Sequence, residues 1–398
     1  MKGSLARMNK KEMIHNLKRV KLVIGNGFDL YCGLKTKYSD YFKFDDSKNK
    51  ALKNWIDSFN NLYCYADGSS NIVNRKDLWV DLHNFKNANI WDLFFFLVSY
   101  ENNSFDNWKW CDIESVMLEW LHCNTDKMYF SSIRNFELVY KFIDGSLSKK
   151  VDDAVYYLAA FAFKKNNEKK FKNIDEFYSF LLSQLKLFEK EFGQYIYHLQ
   201  VDDSYKAFLP PKPIITYIEK AEEAICKICT IENIASIDTF NYGTPLIEKI
   251  KGKINHINGD VDNPIFGVDS NAFIAPDPRY IFSKTNRRMN LDMIKNESYE
   301  TKEFENIIIF GSSLSVADYS YFFSIFDKIN ITDLSNPAKI VFAYNVYDSG
   351  KEEAINKQLS KSIFELFQEY SRYKGNNEQP NRLLDSLTTQ GKVILYRI

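Results

Sequence analysis

The fold is decided by one stretch near the start of the chain, VKLVIGNGFD at residues 20–29. Its first five residues are rich in aliphatic and β-branched types and stop at a glycine, which predicts a buried β-strand. Gly25-Asn26-Gly27 follows at once, and helix-compatible residues occupy 30–42. A strand, a glycine turn and a helix N-terminus together can cradle a phosphate group. The stretch therefore predicts either a nucleotide-binding turn or only a tight connection between strand and helix.

The composition of the 398-residue chain is that of a globular protein, with 45% hydrophobic residues. The 52 basic residues equal the 52 acidic ones, and this balance argues against a dedicated nucleic-acid or membrane surface. Six scattered cysteines form no disulfide framework, which favours a reducing compartment. No secretion signal precedes the first strand, and the apolar run at 91–98 is too short to span a bilayer. We therefore expect a soluble, cytoplasmic protein.

Short apolar runs alternate with helical segments in the second half of the chain, which predicts an α/β fold. With the first strand they make six predicted strands, at 20–24, 234–240, 254–258, 306–310, 339–344 and 393–396. Helix-rich spacers between buried strands imply right-handed crossovers and a Rossmann-like, mostly parallel sheet. The pattern leaves the strand order open.

The segment from 44 to 209 carries few strand signals and many helical ones, and its clearest predicted helix covers 173–200. We interpret it as a large α-helical insertion that ends at the proline-rich segment 209–213. The chain is then one domain over 19–398. Its discontinuous nucleotide-binding core covers 19–43 and 210–398, and residues 1–18 form an N-terminal arm.

Small and polar residues follow four of the predicted strands. The four segments are 25–29, 239–243, 256–260 and 311–318. Ligands of parallel sheets bind at the carboxyl ends of the strands, so these segments are expected to share one site. Their small and amide side chains suit a ligand that carries phosphates, riboses and an amide.

These segments resemble the AbiH family, named for bacteriophage abortive infection. The resemblance is carried by residues 24–30 and 33–42, and it is supported at 240–242, 264–269 and 311–322. The match spans most of the chain in the right order. It implies an antiphage protein.

The same segments look, more distantly, like the sirtuin-type NAD-binding fold. The matching motifs are Gly25-Asn26-Gly27, Gly33–Thr36, Thr239-Phe240-Asn241, Asn258-Gly259 and Gly311–Val316. This resemblance implies NAD as substrate or ligand and cleavage of the nicotinamide–ribose bond as the reaction. No metal is expected, because the sirtuin-type zinc module has no counterpart in this sequence. The residues that the resemblance implies for binding NAD are Gly25, Asn26, Gly27, Phe28, Thr239, Asn258, Gly259, Gly311, Ser312 and Ser313.

Three residues are the candidates for catalysis. Asn241 would orient the ribose hydroxyls or the attacking water, and Asp29 would accept a ribose hydroxyl or lie near the reacting sugar. An alternative for Asp29 is the N-cap of the first helix. The position of the catalytic histidine in the sirtuin motif is occupied here by Asn258. His256 lies two residues earlier and would assist the water instead. The alternative for His256 is a buried histidine bonded to the backbone.

Other charged residues have structural interpretations. Asp112 and Glu114 fit the N-cap and first turn of a helix in the insertion, although Glu114 could also reach the cleft. Lys284, Arg287 and Arg288 form a small basic cluster, which we interpret as a solvated loop or as a phosphate contact.

Two functional hypotheses follow. In the first, the protein is an antiphage NAD⁺ glycohydrolase, an NADase. In the second, it is a nucleotide-sensing or scaffolding module that binds NAD or a related nucleotide without turnover. Asn258 and Ser312 favour this second hypothesis, because they depart from the sirtuin-type motifs. The expected partners are NAD or a related nucleotide, with a phage-derived activator, a defence-system partner and a homo-oligomer left open. Neither a membrane nor a nucleic acid is expected as a partner.

Overall fold

The structure is a computed structural model, and it describes residues 9–44, 88–92, 94–95, 113–123, 171–201, 214–244, 250, 253–273, 276–290, 303–346, 350 and 352–398. The helices of these residues are α1 (Lys10–His15), α2 (Asn26–Tyr31), α3 (Tyr38–Phe44), α4 (Ile113–Cys123), α5 (Ile174–Val201), α6 (Ile214–Ile228), α7 (Lys284–Met289), α8 (Tyr319–Lys328), α9 (Glu352–Tyr373) and α10 (Arg382–Thr389). The strands are β1 (Val20–Ile24), β2 (Ile234–Thr239), β3 (Ile254–His256), β4 (Asn306–Phe310), β5 (Ile340–Tyr344) and β6 (Val393–Arg397).

The described strands form one six-stranded sheet in the order β3-β2-β1-β4-β5-β6, and every pairing in it is parallel. This confirms the predicted α/β, Rossmann-like fold. The order reverses direction between β1 and β4. In open parallel sheets such a reversal opens a crevice outside the carboxyl ends of the strands, where ligands bind.

Helices cover both faces of the sheet, because alternate residues of each buried strand point to opposite sides. On one face Ile308 and Phe310 pack with α1, α2 and α6. On the other face Ile307 and Ile309 pack with α8, α9 and α10. The central strands β1 and β4 are buried along their whole length, as the predicted continuous apolar runs require.

The chain divides into two compact units. Unit 1 comprises Met1–Thr36, Gly193–Ile265 and Arg287–Ile398, and it holds the whole sheet. Unit 2 comprises Lys37–Phe192 and Phe266–Asn286. Among the described residues of unit 2, an aromatic cluster joins Tyr41 to Phe188 and Phe192, and Phe188 in turn contacts Phe266.

The helix-compatible residues over 30–42 are divided between two helices. Helix α2 already begins at Asn26, and it ends at Tyr31. Gly33 then takes a φ of +94°, which favours glycine, and Leu34 N–H donates to the Asp29 carbonyl oxygen (2.9 Å). The chain starts a separate helix, α3, at Tyr38.

The basic cluster is not a solvated loop, so that interpretation was wrong. Lys284 and Arg287 lie on α7, and both are buried. In unit 2, Lys284 Nζ pairs with Glu114 Oε2 at 2.7 Å, and Gly267 N–H donates to the other oxygen of Glu114. Glu114 occupies the first turn of α4 as predicted, and a buried cation neutralises it.

Several predictions fall on residues outside the described ranges. They include Asp112, the proline-rich segment 209–213 and most of the insertion at 44–209. The clearest helix of that insertion is described, and α5 confirms it. No helix in the described part of the chain is both long and apolar enough to cross a membrane.

Candidate functional site

The glycine turns that follow β1 and β4 are in direct backbone contact. Gly25 N–H donates to the Phe310 carbonyl oxygen (3.0 Å), and Gly27 N–H donates to that of Gly311 (2.8 Å). A Cβ on Gly25 would lie 2.6 Å from Ser312 Cα, and one on Gly27 would lie 2.7 Å from Gly311 Cα. Glycine is therefore needed here because the two loops approach too closely for any side chain.

The contact between the two turns uses backbone N–H groups that were predicted to bind a phosphate. Besides Gly25 and Gly27, Phe28 N–H donates within the turn, to the Gly25 carbonyl oxygen (2.9 Å). The Phe28 ring is fully buried against Phe310, with its centroid 5.8 Å away. The partly exposed residues of the two loops are Asn26, Gly27, Gly311, Ser312 and Ser313. Of the predicted ligand contacts, these five are the ones that face the surface.

Asp29 points into the protein and does not cap α2. The N-cap is Gly25, so Asp29 lies four residues into the helix, and the capping interpretation was wrong. Its carboxyl group is 1% exposed and accepts a hydrogen bond from the Tyr217 hydroxyl at 2.9 Å. Burial raises the pKa of Asp29 to about 7, while the hydrogen bonds from Tyr217 and Asn241 act in the opposite direction. Asp29 can therefore exist in either protonation state near neutral pH.

Asn241 connects the end of β2 to the β1 turn. Its side-chain amide donates to the Gly25 carbonyl oxygen (3.1 Å) and lies close enough to Asp29 to lower the pKa of that carboxyl group. Its backbone N–H donates to Thr239 Oγ1 at 3.0 Å. Thr239 is fully buried, and its hydroxyl group helps to fix the position of the Asn241 backbone.

His256 lies at the end of β3, where its ring has two partners. Nδ1 is 3.0 Å from the Asn241 carbonyl oxygen, and Nε2 is 3.0 Å from Thr244 Oγ1. A carbonyl oxygen only accepts, so Nδ1 carries the proton and Nε2 accepts from the Thr244 hydroxyl. Burial lowers the pKa of His256, which favours the neutral ring. These are the contacts of the buried-histidine alternative, and they also tie His256 to Asn241.

The turn after β3 holds Asn258 and Gly259. The strand ends at His256, two residues earlier than predicted, and Asn258 lies in the turn with its side chain buried. Arg288 Nη2 donates to Asn258 Oδ1 at 3.3 Å. Gly259 has a φ of +79°, and a Cβ there would lie 2.0 Å from the Asn263 carbonyl oxygen. This turn also requires glycine for a structural reason.

The structure thus brings together Asp29, Asn241 and His256, the three residues predicted to be catalytic. Within unit 1, Tyr217 and Thr244 join them, and Arg288 borders Asn258. Arg288 was predicted only as part of the basic cluster, and Tyr217 and Thr244 were not predicted. Tyr217 lies on α6 as part of an ordinary amphipathic pattern, so no local signal separated it from a core tyrosine. Thr244 comes three residues after Asn241 and could have been included with that motif.

Comparison with known proteins gives one result. No curated protein and no solved structure matches the chain. The family model described as "Bacteriophage abortive infection AbiH" matches residues 22–344. This match runs from the third residue of β1 to the end of β5 and includes all of the residues of the candidate site. The chain therefore belongs to the AbiH family of bacteriophage abortive infection proteins.

Proposed function

We propose that this protein acts in abortive infection by binding NAD at the carboxyl edge of β1, β2 and β4 and hydrolysing its nicotinamide–ribose bond. The observation that carries the proposal is the cluster in which Asn241 accepts a hydrogen bond from His256 and lies beside the carboxyl group of Asp29. The strand order supports it, because dinucleotides bind at the reversal point of sheets with this order.

The reaction consumes one water. The bond between the ribose anomeric carbon and the nicotinamide nitrogen breaks, and its electron pair neutralises the pyridinium ring. The oxygen of water then bonds to the anomeric carbon, and the products are nicotinamide, ADP-ribose and one proton. Nicotinamide leaves without protonation, so the protein must stabilise the positive, oxocarbenium-like ribose and accept a proton from water.

The cluster contains groups for both tasks. Ionised Asp29, buried next to Asn241, supplies negative charge that acts on the ribose across that amide, and its pKa of about 7 suits it to take up the proton that the reaction releases. Asn241 orients the ribose hydroxyls or the water through its amide. His256 holds Asn241 in place through the carbonyl oxygen to which Nδ1 donates. Asn26, Ser312 and Ser313, which are partly exposed, would contact phosphate and ribose groups.

A nucleotide sensor that does not turn over its ligand is the second candidate function. Two observations favour it. Asn258 occupies the position of the catalytic histidine in the sirtuin-like motif, and it is bound by Arg288. The amides of Gly25, Gly27 and Phe28 are also already used within the protein.

One experiment separates these functions. NAD is titrated calorimetrically into the purified protein, and nicotinamide release is followed chromatographically in the same sample. We expect binding with release, and we expect Asn241→Ala to slow release by about 10- to 100-fold, because the ribose or water loses an orienting hydrogen bond. Asn377→Ala is the matched control, since Asn377 is an exposed loop residue, and it should leave the rate unchanged.

The remaining outcomes have defined meanings. Binding without release, unchanged by Asn241→Ala, would select the sensor. Absence of any binding would contradict both functions and would leave the family membership as the only functional indication.

A further inference from the structure

A chain of neighbouring polar groups runs through the candidate site from α6 to β3. It begins at the Tyr217 hydroxyl, which donates to Asp29 Oδ1 at 2.9 Å. The side chain of Asn241 lies close enough to Asp29 to lower the pKa of its carboxyl group, and the backbone carbonyl oxygen of Asn241 accepts from His256 Nδ1. The chain ends where the Thr244 hydroxyl donates to His256 Nε2. All these residues belong to unit 1.

Asp29 is the group in this chain that changes charge near neutral pH. The titratable groups that face it are Tyr217 from α6 and Cys32, which follows α2. Burial raises the pKa of the Tyr217 hydroxyl and of the Cys32 thiol, so both stay protonated. Lys220 and Glu223 on α6 act on Cys32 with opposite signs. No cation among the described residues is hydrogen-bonded to the Asp29 carboxylate.

The Tyr217 hydroxyl therefore has a particular effect on Asp29. A hydroxyl that donates to a carboxylate stabilises the ionised form, and this stabilisation is larger where water is excluded. Tyr217 is 5% exposed and Asp29 is 1% exposed, so no water replaces the hydroxyl cheaply. Removing the hydroxyl leaves the carboxylate with less hydrogen-bonding support and the same burial.

We propose that Tyr217 is a positioning residue, which keeps the Asp29 carboxylate ionised and directed towards Asn241 when the site acts on NAD. Because this role concerns the regulation of catalysis, the inference rests on the function proposed above. The bond between Tyr217 and Asp29 makes the site responsive to pH: acidification protonates Asp29 and switches hydrolysis off, and Tyr217 sets the pH at which this occurs.

The test measures Asp29 directly, without NAD. Protein labelled with ¹³C at the aspartate carboxyl carbons is titrated by NMR, and the Asp29 signal is assigned by its absence in Asp29→Asn. We expect Tyr217→Phe to raise the titration midpoint of Asp29 by about one to two pH units. Tyr370→Phe is the matched control, because it removes a similar hydroxyl bond to a carboxylate, that of Asp327 at 2.7 Å, and it should leave Asp29 unchanged.

A second variant guards against misfolding of Tyr217→Phe. A ring-fluorinated tyrosine at 217 keeps the hydroxyl and makes it a stronger donor, so the Asp29 midpoint should move down. An unchanged midpoint in both variants, or equal shifts in Tyr217→Phe and Tyr370→Phe, would overturn the inference.

The enzymatic activity is measured separately from the NMR titration. If nicotinamide is released, the pH profile of Tyr217→Phe should move upward by the same amount as the NMR midpoint, while the plateau rate at high pH approaches that of the unmodified protein. A lowered plateau with an unmoved midpoint would contradict the positioning role. If nicotinamide is never released, the proposed hydrolysis fails, while the NMR shift still tests the link between Tyr217 and Asp29.

Discussion

Gly311→Ala is expected to lower the free energy of unfolding by about 3 kcal/mol or more. Gly311 has a φ of +72°, where an L-residue is strained, and its Cβ would lie 2.3 Å from the Phe28 backbone nitrogen. The atoms it would meet belong to the backbone of the β1 turn, so no side-chain rotation relieves the overlap. The loops after β1 and β4 would have to separate, and the hydrogen bond between Gly27 and Gly311 would be lost with them.

Gly375→Ala is the matched control for this prediction. Gly375 also has a positive φ, of +88°, but nothing lies within 4 Å of its Cβ position. It should therefore cost only the backbone strain, about 1 kcal/mol. Urea unfolding of both variants, followed by circular dichroism, gives the comparison. Equal losses in the two variants would show that the loops tolerate a side chain between them.

Asparagine should have opposite effects at two buried aspartates. Asp29 lacks a described cation partner, and its native pKa of about 7 lies above the unfolded value of about 3.9. Between these values the native state holds a proton that the unfolded state has lost, so raising the pH weakens the protein at this site. Asp29→Asn removes this loss. The unfolding free energy of the variant, relative to that of the unmodified protein, should therefore rise by about 2–3 kcal/mol as the pH is raised from 5 to 8.

Asp238→Asn provides the contrast. Asp238 is 3% exposed, and its carboxylate pairs with Lys21 Nζ at 2.7 Å. The substitution leaves the Lys21 charge buried without its counter-ion and should cost about 3 kcal/mol. Urea unfolding at pH 5, 6, 7 and 8 measures both variants. If the difference between Asp29→Asn and the unmodified protein did not vary with pH, Asp29 would not titrate in this range.

The strands could be predicted from the sequence, while their neighbours in the sheet could not. Buried parallel strands such as β1 and β4 are continuous apolar runs, and such runs are visible locally. The order of the strands depends on pairings between distant residues, such as Val20 with Ile234 and with Asn306. No pattern within a strand reports these pairings.

The candidate site shows the same division. The residues at the strand ends were found because glycine and amide residues stand out after apolar runs. The interior position of Asp29 was missed, because its partner Tyr217 lies 188 residues away and capping is the local role that aspartate suggests. Lys284 was misinterpreted for a similar reason, since the acid that permits its burial lies 170 residues earlier.

The central place of β1 has a consequence for synthesis on the ribosome. This strand leaves the ribosome early, but Lys21 can pair with Asp238 only after that residue, which is 217 residues further along the chain, has been synthesised. At translation rates of about 5–20 residues per second, the nascent β1 stays unpaired for on the order of 10–40 s. Its apolar side chains are exposed to chaperones and to other nascent chains during this interval. The site cannot assemble before β4 and Gly311 have also left the exit tunnel, so a prematurely terminated chain that lacks them carries no complete site.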